Sequence, residues 1–174
     1  MVERMPRRAA VLVGLALAGT LVLASACAPT PEPTPSPTGF ASEEEAFAAA
    51  EETYRAYTDA ANARRSDPDS GPAPSDFLTG EALTAELDSE KKFQDAGVHL
   101  EGDIVVASAN LIEASSSTAD LHMCIDVSGT RVVSDTGEDV TPTDRERVQA
   151  LEVTAVWAPG RPLISSSRAS ELAC

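Results

Sequence analysis

Three side chains of metal-ligand type, His122, Cys124 and Asp126, alternate along one short segment of the chain. On a strand this spacing puts them on one face, opposite an apolar face that begins at Leu121. Successive side chains on one strand face lie about 6.6–7 Å apart, which is too far for three residues of a single strand to converge on an ion. We therefore predict a polar sheet face here and no metal site.

A second chemical motif is the triplet Asp135-Thr136-Gly137, which matches the active-site triplet of aspartic proteases. That chemistry needs a second carboxylate across a dimer or pseudo-dimer axis. Asp and Gly are also common turn residues, and we predict a turn at this triplet. The sequence has no serine-hydrolase elbow, phosphate loop, zinc-protease helix or dinucleotide fingerprint, so we predict no catalytic residue and no cofactor.

Two helices are predicted in the first half of the chain. Ser42 and Glu45 have capping-box spacing, and apolar residues then recur at helical spacing up to about residue 64. A second helix is expected over residues 79–96, with Gly97 as its terminator. Three large apolar residues are expected on its inner side: Leu83, Leu87 and Phe93.

Beyond Val98 the apolar residues recur with a period near two, which is typical of strands. The clearest strand segments are residues 148–157 and 162–169, and a turn is expected within residues 127–133. Two helices followed by about four antiparallel strands predict an α+β domain whose N-terminal helices pack on one face of the sheet.

The N-terminus has the pattern of an export signal. Arg4, Arg7 and Arg8 precede an uncharged run over residues 9–26, which ends in small residues. An uncleaved membrane helix is the alternative, because the length of the run is near the lower limit for crossing a bilayer. The small residues and the absence of a basic flank favour cleavage.

The segment "LASAC", Leu23 to Cys27, resembles the lipobox of bacterial lipoproteins. In that family the cysteine is diacylated and becomes the first residue of the mature protein. The resemblance implies a protein held at the extracytoplasmic face of the cell membrane by a lipid on Cys27. Residues 28–39 contain five prolines and favour an extended tether. We expect a signal peptide over 1–26, a lipidated cysteine and tether over 27–41, and one folded domain over 42–174.

The exported part is strongly acidic. The chain has a net charge of −15, and loss of residues 1–26 removes three of 13 basic residues and one of 28 acidic ones, leaving −17. Such a charge repels phosphate backbones and anionic headgroups, so no nucleic-acid partner is expected. The expected partners are the membrane, through the lipid, and a small ligand or another envelope protein.

With Cys27 acylated, Cys124 and Cys174 remain, and an even pair in an exported protein indicates a disulfide. Two free thiols or a nucleophilic cysteine are the alternatives. A bridge would require the C-terminal tail to fold back across the outer face of the sheet to reach Cys124.

The order of elements, the segment "GVHLEGDIVV" at 97–106 and a hairpin of the form "CIDVSG…DTG" resemble the nuclear-transport-factor-2-like superfamily. The likeness covers residues 42–170 and, within the superfamily, extends to small lipoproteins of high-GC Gram-positive bacteria. It implies a curved sheet and helices that form a cone, whose open end can hold a ligand, a catalytic site or nothing. The aromatic candidates for a pocket wall are Tyr54, Tyr57 and Trp157.

Asp59 has the helical phase of a solvent-facing residue and is not expected to act as a base. We therefore expect a non-catalytic domain that binds a ligand or a partner. A small enzyme of the isomerase or dehydratase type, with an acid–base site in the cone, is the alternative.

Overall fold

The structure is a computed structural model that describes residues 38–174. The predicted signal peptide, Cys27 and most of the predicted tether lie outside the described residues. Among the helices of the described part, none combines the length and the apolar character needed to cross a membrane.

Both predicted helices are present. Helix α1 spans Glu43–Ser66 and helix α2 spans Gly80–Ala96, with a short 3-10 helix over Pro74–Phe77 between them. The Ser42 hydroxyl accepts the N–H of Glu45 at 3.1 Å, so the predicted N-terminal cap is confirmed. Gly97 ends α2 in the left-handed region at φ 63°, where a residue without a Cβ has no steric penalty.

The second half forms two antiparallel sheets. The six strands are β1 Val98–Glu101, β2 Val105–Ala114, β3 Thr118–Asp126, β4 Arg131–Ser134, β5 Val148–Ala158 and β6 Arg161–Ala169. A four-stranded sheet has the order β2-β3-β5-β6, while β1 and β4 form a separate two-stranded sheet. The predicted α+β class is confirmed, and the separate β1–β4 pair is an addition to it.

Helix α1 covers the inner face of the larger sheet. Its residues Ala46 and Ala50 are almost fully buried, and their small side chains let the helix approach the strands closely. Leu121 and Met123 of β3 fill the space beneath it, where they are excluded from water. Burial of these aliphatic side chains contributes about 1.5–3 kcal/mol each.

Helix α2 meets the prediction in part, because Leu83 packs against the core as expected and Phe93 is partly buried, but Leu87 is not. Leu87, expected to face inward, is 51% exposed, whereas Ala82 is buried and Glu86 is half-buried. The helix packs mainly along the edge strand β6 and touches β1. Because it contacts one edge of the sheet, only a narrow stripe of α2 is covered, and Glu86 lies in that stripe.

The outer face of β3 also differs from the prediction. His122 and Cys124 are buried, with relative exposures of 9% and 5%, and only Asp126 remains partly exposed as a polar face requires. Cys124 and Cys174 form the predicted disulfide, with Cα atoms 5.7 Å apart. The Ser170 N–H donates to the carbonyl of Ala150 at 2.8 Å, and the disulfide brings Cys174 beside His122, so the C-terminal segment, residues 170–174, lies against the outer face at these residues.

The Asp135–Gly137 triplet forms a turn, as predicted. The Gly137 N–H donates to the Ser134 carbonyl at 2.8 Å, and Gly137 has φ 85°. The turn follows directly after β4. Its residues therefore serve the local backbone geometry.

The packed structure includes Phe40, two residues before the expected start of the domain. Phe40 is 6% exposed, and its N–H donates to the Ser116 carbonyl at 2.8 Å. Its ring packs edge-on against Trp157 with the centroids 5.1 Å apart. The contact between Phe40 and Trp157 thus makes Phe40 part of the domain, although the sequence analysis assigned it to the tether.

Two glycines with positive φ differ in how closely another part of the backbone approaches them. Gly102 has φ 82° and Gly137 has φ 85°, but a Cβ on Gly102 would collide with the Gly129 carbonyl oxygen, whereas one on Gly137 would meet open space. We expect Gly137→Ala to lower the free energy of unfolding by about 1–2 kcal/mol through backbone strain alone. Gly102→Ala should lose about 1–3 kcal/mol more, because a backbone atom must move.

Urea unfolding of the two variants, followed by circular dichroism, measures this difference. Equal losses in the two variants would contradict the close approach of Gly102 to Gly129.

Candidate functional site

A cavity of about 160 Å³ lies where α1, α2 and β6 meet. Its wall combines aromatic, aliphatic and polar side chains: Tyr54, Tyr57, Leu78, Ala82, Ala85, Glu86, Ile164 and Ser167. Two of the three aromatic residues predicted for a pocket wall are therefore found together here.

Tyr54 and Tyr57 are brought together by the helix itself. They are three residues apart on α1, which places them on one face, and their ring centroids are 5.7 Å apart. Burial raises the pKa of Tyr54 to about 12. Burial also raises the pKa of Tyr57, and the nearby Glu86 carboxylate raises it further. Both phenols are therefore neutral at physiological pH and can donate hydrogen bonds.

Glu86 is the acidic group of the cavity. The Tyr57 hydroxyl donates to its Oε2 at 2.9 Å and links α1 to α2. Burial raises the pKa of the Glu86 carboxyl and the neighbouring Glu90 raises it further, while the hydrogen bond from Tyr57 and the charge of Arg65 oppose the rise. The result is a carboxyl group that holds its proton to a higher pH than an exposed glutamate does.

The sequence analysis did not single out Glu86. The signal that could have found it is the four-residue spacing from Ala82, which places both on the same side of α2. Leu83 packs against the core as expected, and the error lies with Leu87, whose inclusion placed the predicted inner side away from Glu86. Helix periodicity cannot reveal that the partner surface is an edge strand instead of a broad core.

Arg65, a basic residue in the last turn of α1, adds a positive charge to this region. The Arg65 guanidinium donates to the Gly102 carbonyl at 3.3 Å and also to the Asn62 side chain. Burial lowers the pKa of Arg65, and electrostatic interactions with acidic groups, among them Asp103 and Glu86, act in the opposite direction. Arginine remains protonated under such conditions, so Arg65 supplies a positive charge near Tyr57 and Glu86.

Asn62 fixes the helix relative to the sheet. Its amide nitrogen donates to the Ile104 carbonyl at 2.9 Å, and its oxygen accepts the Ile104 N–H at 3.0 Å. This paired contact holds the C-terminal part of α1 against the entry to β2. The positions of Tyr57 and Arg65 are thereby set.

Trp157, the third predicted wall residue, does not line this cavity. Its ring packs against the ring of Phe40, which precedes α1. Trp157 lies apart from Tyr54 and Tyr57 because an aromatic residue preceding α1, Phe40, supplies its partner. Asp59 is exposed, as the sequence analysis expected.

The cavity presents one carboxyl and two phenolic hydroxyls, which are groups that form hydrogen bonds. Its volume is below the roughly 300–1,000 Å³ of a typical small-molecule pocket.

A second group of reactive side chains lies on the outer face of the sheet, where His122 is adjacent to the Cys124–Cys174 disulfide.

The chain matches no family model, and no curated protein is similar to it in sequence. Function must therefore be inferred from the chemistry of the sites themselves.

Titration of Glu86 should appear in the stability of the protein. Its folded pKa is raised, so the folded state retains a proton that the unfolded state has lost. This contribution to stability is full below the unfolded pKa of about 4.3 and is lost as the pH rises through the folded pKa. Glu86→Gln keeps an acceptor for Tyr57 and does not titrate, so its stability relative to the wild type should increase between about pH 4 and pH 7.

Urea midpoints measured across this pH range provide the test. Asp88→Asn, an exposed neutralisation on the same helix, is the matched control and should show no such trend. A stability difference between Glu86→Gln and wild type that does not change with pH would contradict the raised pKa.

Proposed function

We propose that this protein is a lipid-anchored domain on the extracytoplasmic face of the cell membrane, where it binds a small ligand or an envelope protein without catalysing a reaction. The observation that carries the location is the Cys124–Cys174 disulfide in a domain preceded by the lipobox-like "LASAC". Disulfides persist in oxidising compartments outside the cytoplasm, which agrees with export. The lipid on Cys27 would hold the protein at the membrane, and residues 28–39 would separate the domain from it.

For the folded part we propose a nuclear-transport-factor-2-like cone. Two features support the proposal. Both helices pack on the four-stranded antiparallel sheet, and irregularities interrupt the register within β2 and between β5 and β6. Such bulges bend strands and increase their twist, as a cone requires. The cavity at Tyr57 and Glu86 would be the open end of that cone.

Binding without catalysis is favoured by the geometry of the cavity. The Tyr57 hydroxyl donates to the Glu86 Oε2, and this contact leaves Oε1 as the carboxyl oxygen that can meet a ligand. The volume of about 160 Å³ suits one small polar group better than an enclosed substrate. A group presented by a ligand or partner protein could form hydrogen bonds with the remaining atoms of this pair.

The alternative is a small enzyme of the isomerase or dehydratase type. It is favoured by one observation, the raised pKa of Glu86 beside two neutral tyrosines. A carboxyl and a phenol with shifted pKa values can act as general base and general acid. Native mass spectrometry of protein purified from membranes separates the two functions. A molecule retained unchanged supports binding, whereas its conversion to a product supports the enzyme.

We expect Cys27→Ala to prevent anchoring. Two acyl chains give stable membrane attachment, whereas a protein without them has no other predicted hold on the bilayer. Fractionation and immunoblotting should find the variant as precursor or in the medium. The matched control is Cys174→Ser, which removes the disulfide and should stay with the membrane. Mature Cys27→Ala protein in membranes at the wild-type level would exclude the lipid anchor.

A further inference from the structure

We propose that reduction of the Cys124–Cys174 disulfide converts the outer face of β3 into a binding site for Zn²⁺, with His122, Cys124 and Cys174 as its ligands. In the structure the ligand atoms of these three residues all lie within 4.8 Å of one another. The C-terminal segment supplies Cys174, so the ligands come from two separate parts of the chain. Residues of β3 alone are too far apart to converge on one ion, and Cys174 removes that limit because it comes from another part of the chain.

His122 provides an independent indication of a ligand. Its Nε2 is buried and has no hydrogen-bond partner among residues 38–174, although the residue is 91% excluded from solvent. A buried polar atom normally finds a partner, because an unsatisfied one costs about 1–3 kcal/mol. Neutral imidazole nitrogen is a good ligand for zinc, and coordination would satisfy the unpaired Nε2.

The separations of the three ligand atoms suit tetrahedral coordination of Zn²⁺. With Zn–S near 2.3 Å and Zn–N near 2.0–2.1 Å, ligand atoms in a tetrahedral site are separated by roughly 3.5–3.8 Å. This is within the distance that already joins the three side chains. The two sulfur atoms must move apart, and Cys174 can do so because it lies in an exposed segment in which Leu172 is 59% exposed.

The chemistry balances with a dithiol as the reductant. The dithiol transfers two electrons and two protons to the disulfide, which yields the Cys124 and Cys174 thiols and the cyclic disulfide of the reductant. Zn²⁺ then displaces one proton from each thiol, and two thiolates and the neutral imidazole bind it. Two thiolates and an imidazole are a ligand set that zinc accepts, with a fourth position left for water.

The experiment uses the full chain carrying Cys27→Ala, so that Cys124 and Cys174 are its only thiols. The protein is reduced without oxygen and titrated with Co²⁺ as a coloured substitute, then with Zn²⁺. We expect one ion per chain, a thiolate-to-cobalt charge-transfer band, and loss of the band when Zn²⁺ displaces Co²⁺. The oxidised chain should show no band, because disulfide sulfur is not a thiolate.

Two variants test the ligand assignment. His122→Leu removes the imidazole but no hydrogen bond to Nε2, so the fold should survive, and Zn²⁺ affinity should fall by more than about tenfold. Cys174→Ser on the exposed segment should lose the site in the same way. His99→Ala, which changes the exposed second histidine, is the control and should bind as the parent does.

Circular dichroism of the reduced chain, with and without Zn²⁺, accompanies the titration. A charge-transfer band in the reduced parent that is weakened in both ligand variants would support the site. Binding of equal strength in the oxidised chain or in His122→Leu would overturn it, since the acidic surface would then hold the ion. A reduced chain that unfolds and is not refolded by Zn²⁺ would overturn it as well.

Discussion

Strand β3 is paired on both edges and buried on both faces, so α1, β2, β5 and the C-terminal segment are each positioned by contact with it. On the inner face, the small side chains of α1 allow close packing over Leu121 and Met123. On the outer face, the Cys124–Cys174 bridge holds residues 170–174 in place. Closing a loop with a sequence separation of 50 residues can contribute about 4 kcal/mol. The disulfide therefore ties the C-terminal segment to β3 beside His122.

Much of this organisation could be predicted from local signals. The capping residues at Ser42 and the terminating Gly97 fix helix ends through contacts within a few residues, and both were recognisable in the sequence. The disulfide was recognisable because only two cysteines remain after Cys27 is assigned to the lipid. The burial of His122 was not, since it depends on a contact between β3 and a segment about fifty residues later.

The same limit applies to the cavity. Tyr54 and Tyr57 share a helix face, so their proximity follows from α1 alone. Glu86 joins them only because α2 packs along an edge strand, which turns Leu87 outward and the carboxylate inward. Trp157 is drawn away by Phe40, a residue that the sequence assigned to the tether. Residues brought together by one element were predictable, and those brought together by the packing of two elements were not.

The C-terminal segment lies over His122 on the outer face of β3, and the two histidines of the chain offer a direct measurement of this contact. Diethyl pyrocarbonate modifies accessible imidazoles, and mass spectrometry can follow His99 and His122 separately. His99, with 55% of its side chain exposed, should react in both redox states. His122 should be protected in the oxidised protein and should become reactive when the disulfide is reduced in the absence of metal. Reaction of His122 at the rate of His99 in the oxidised protein would contradict the account.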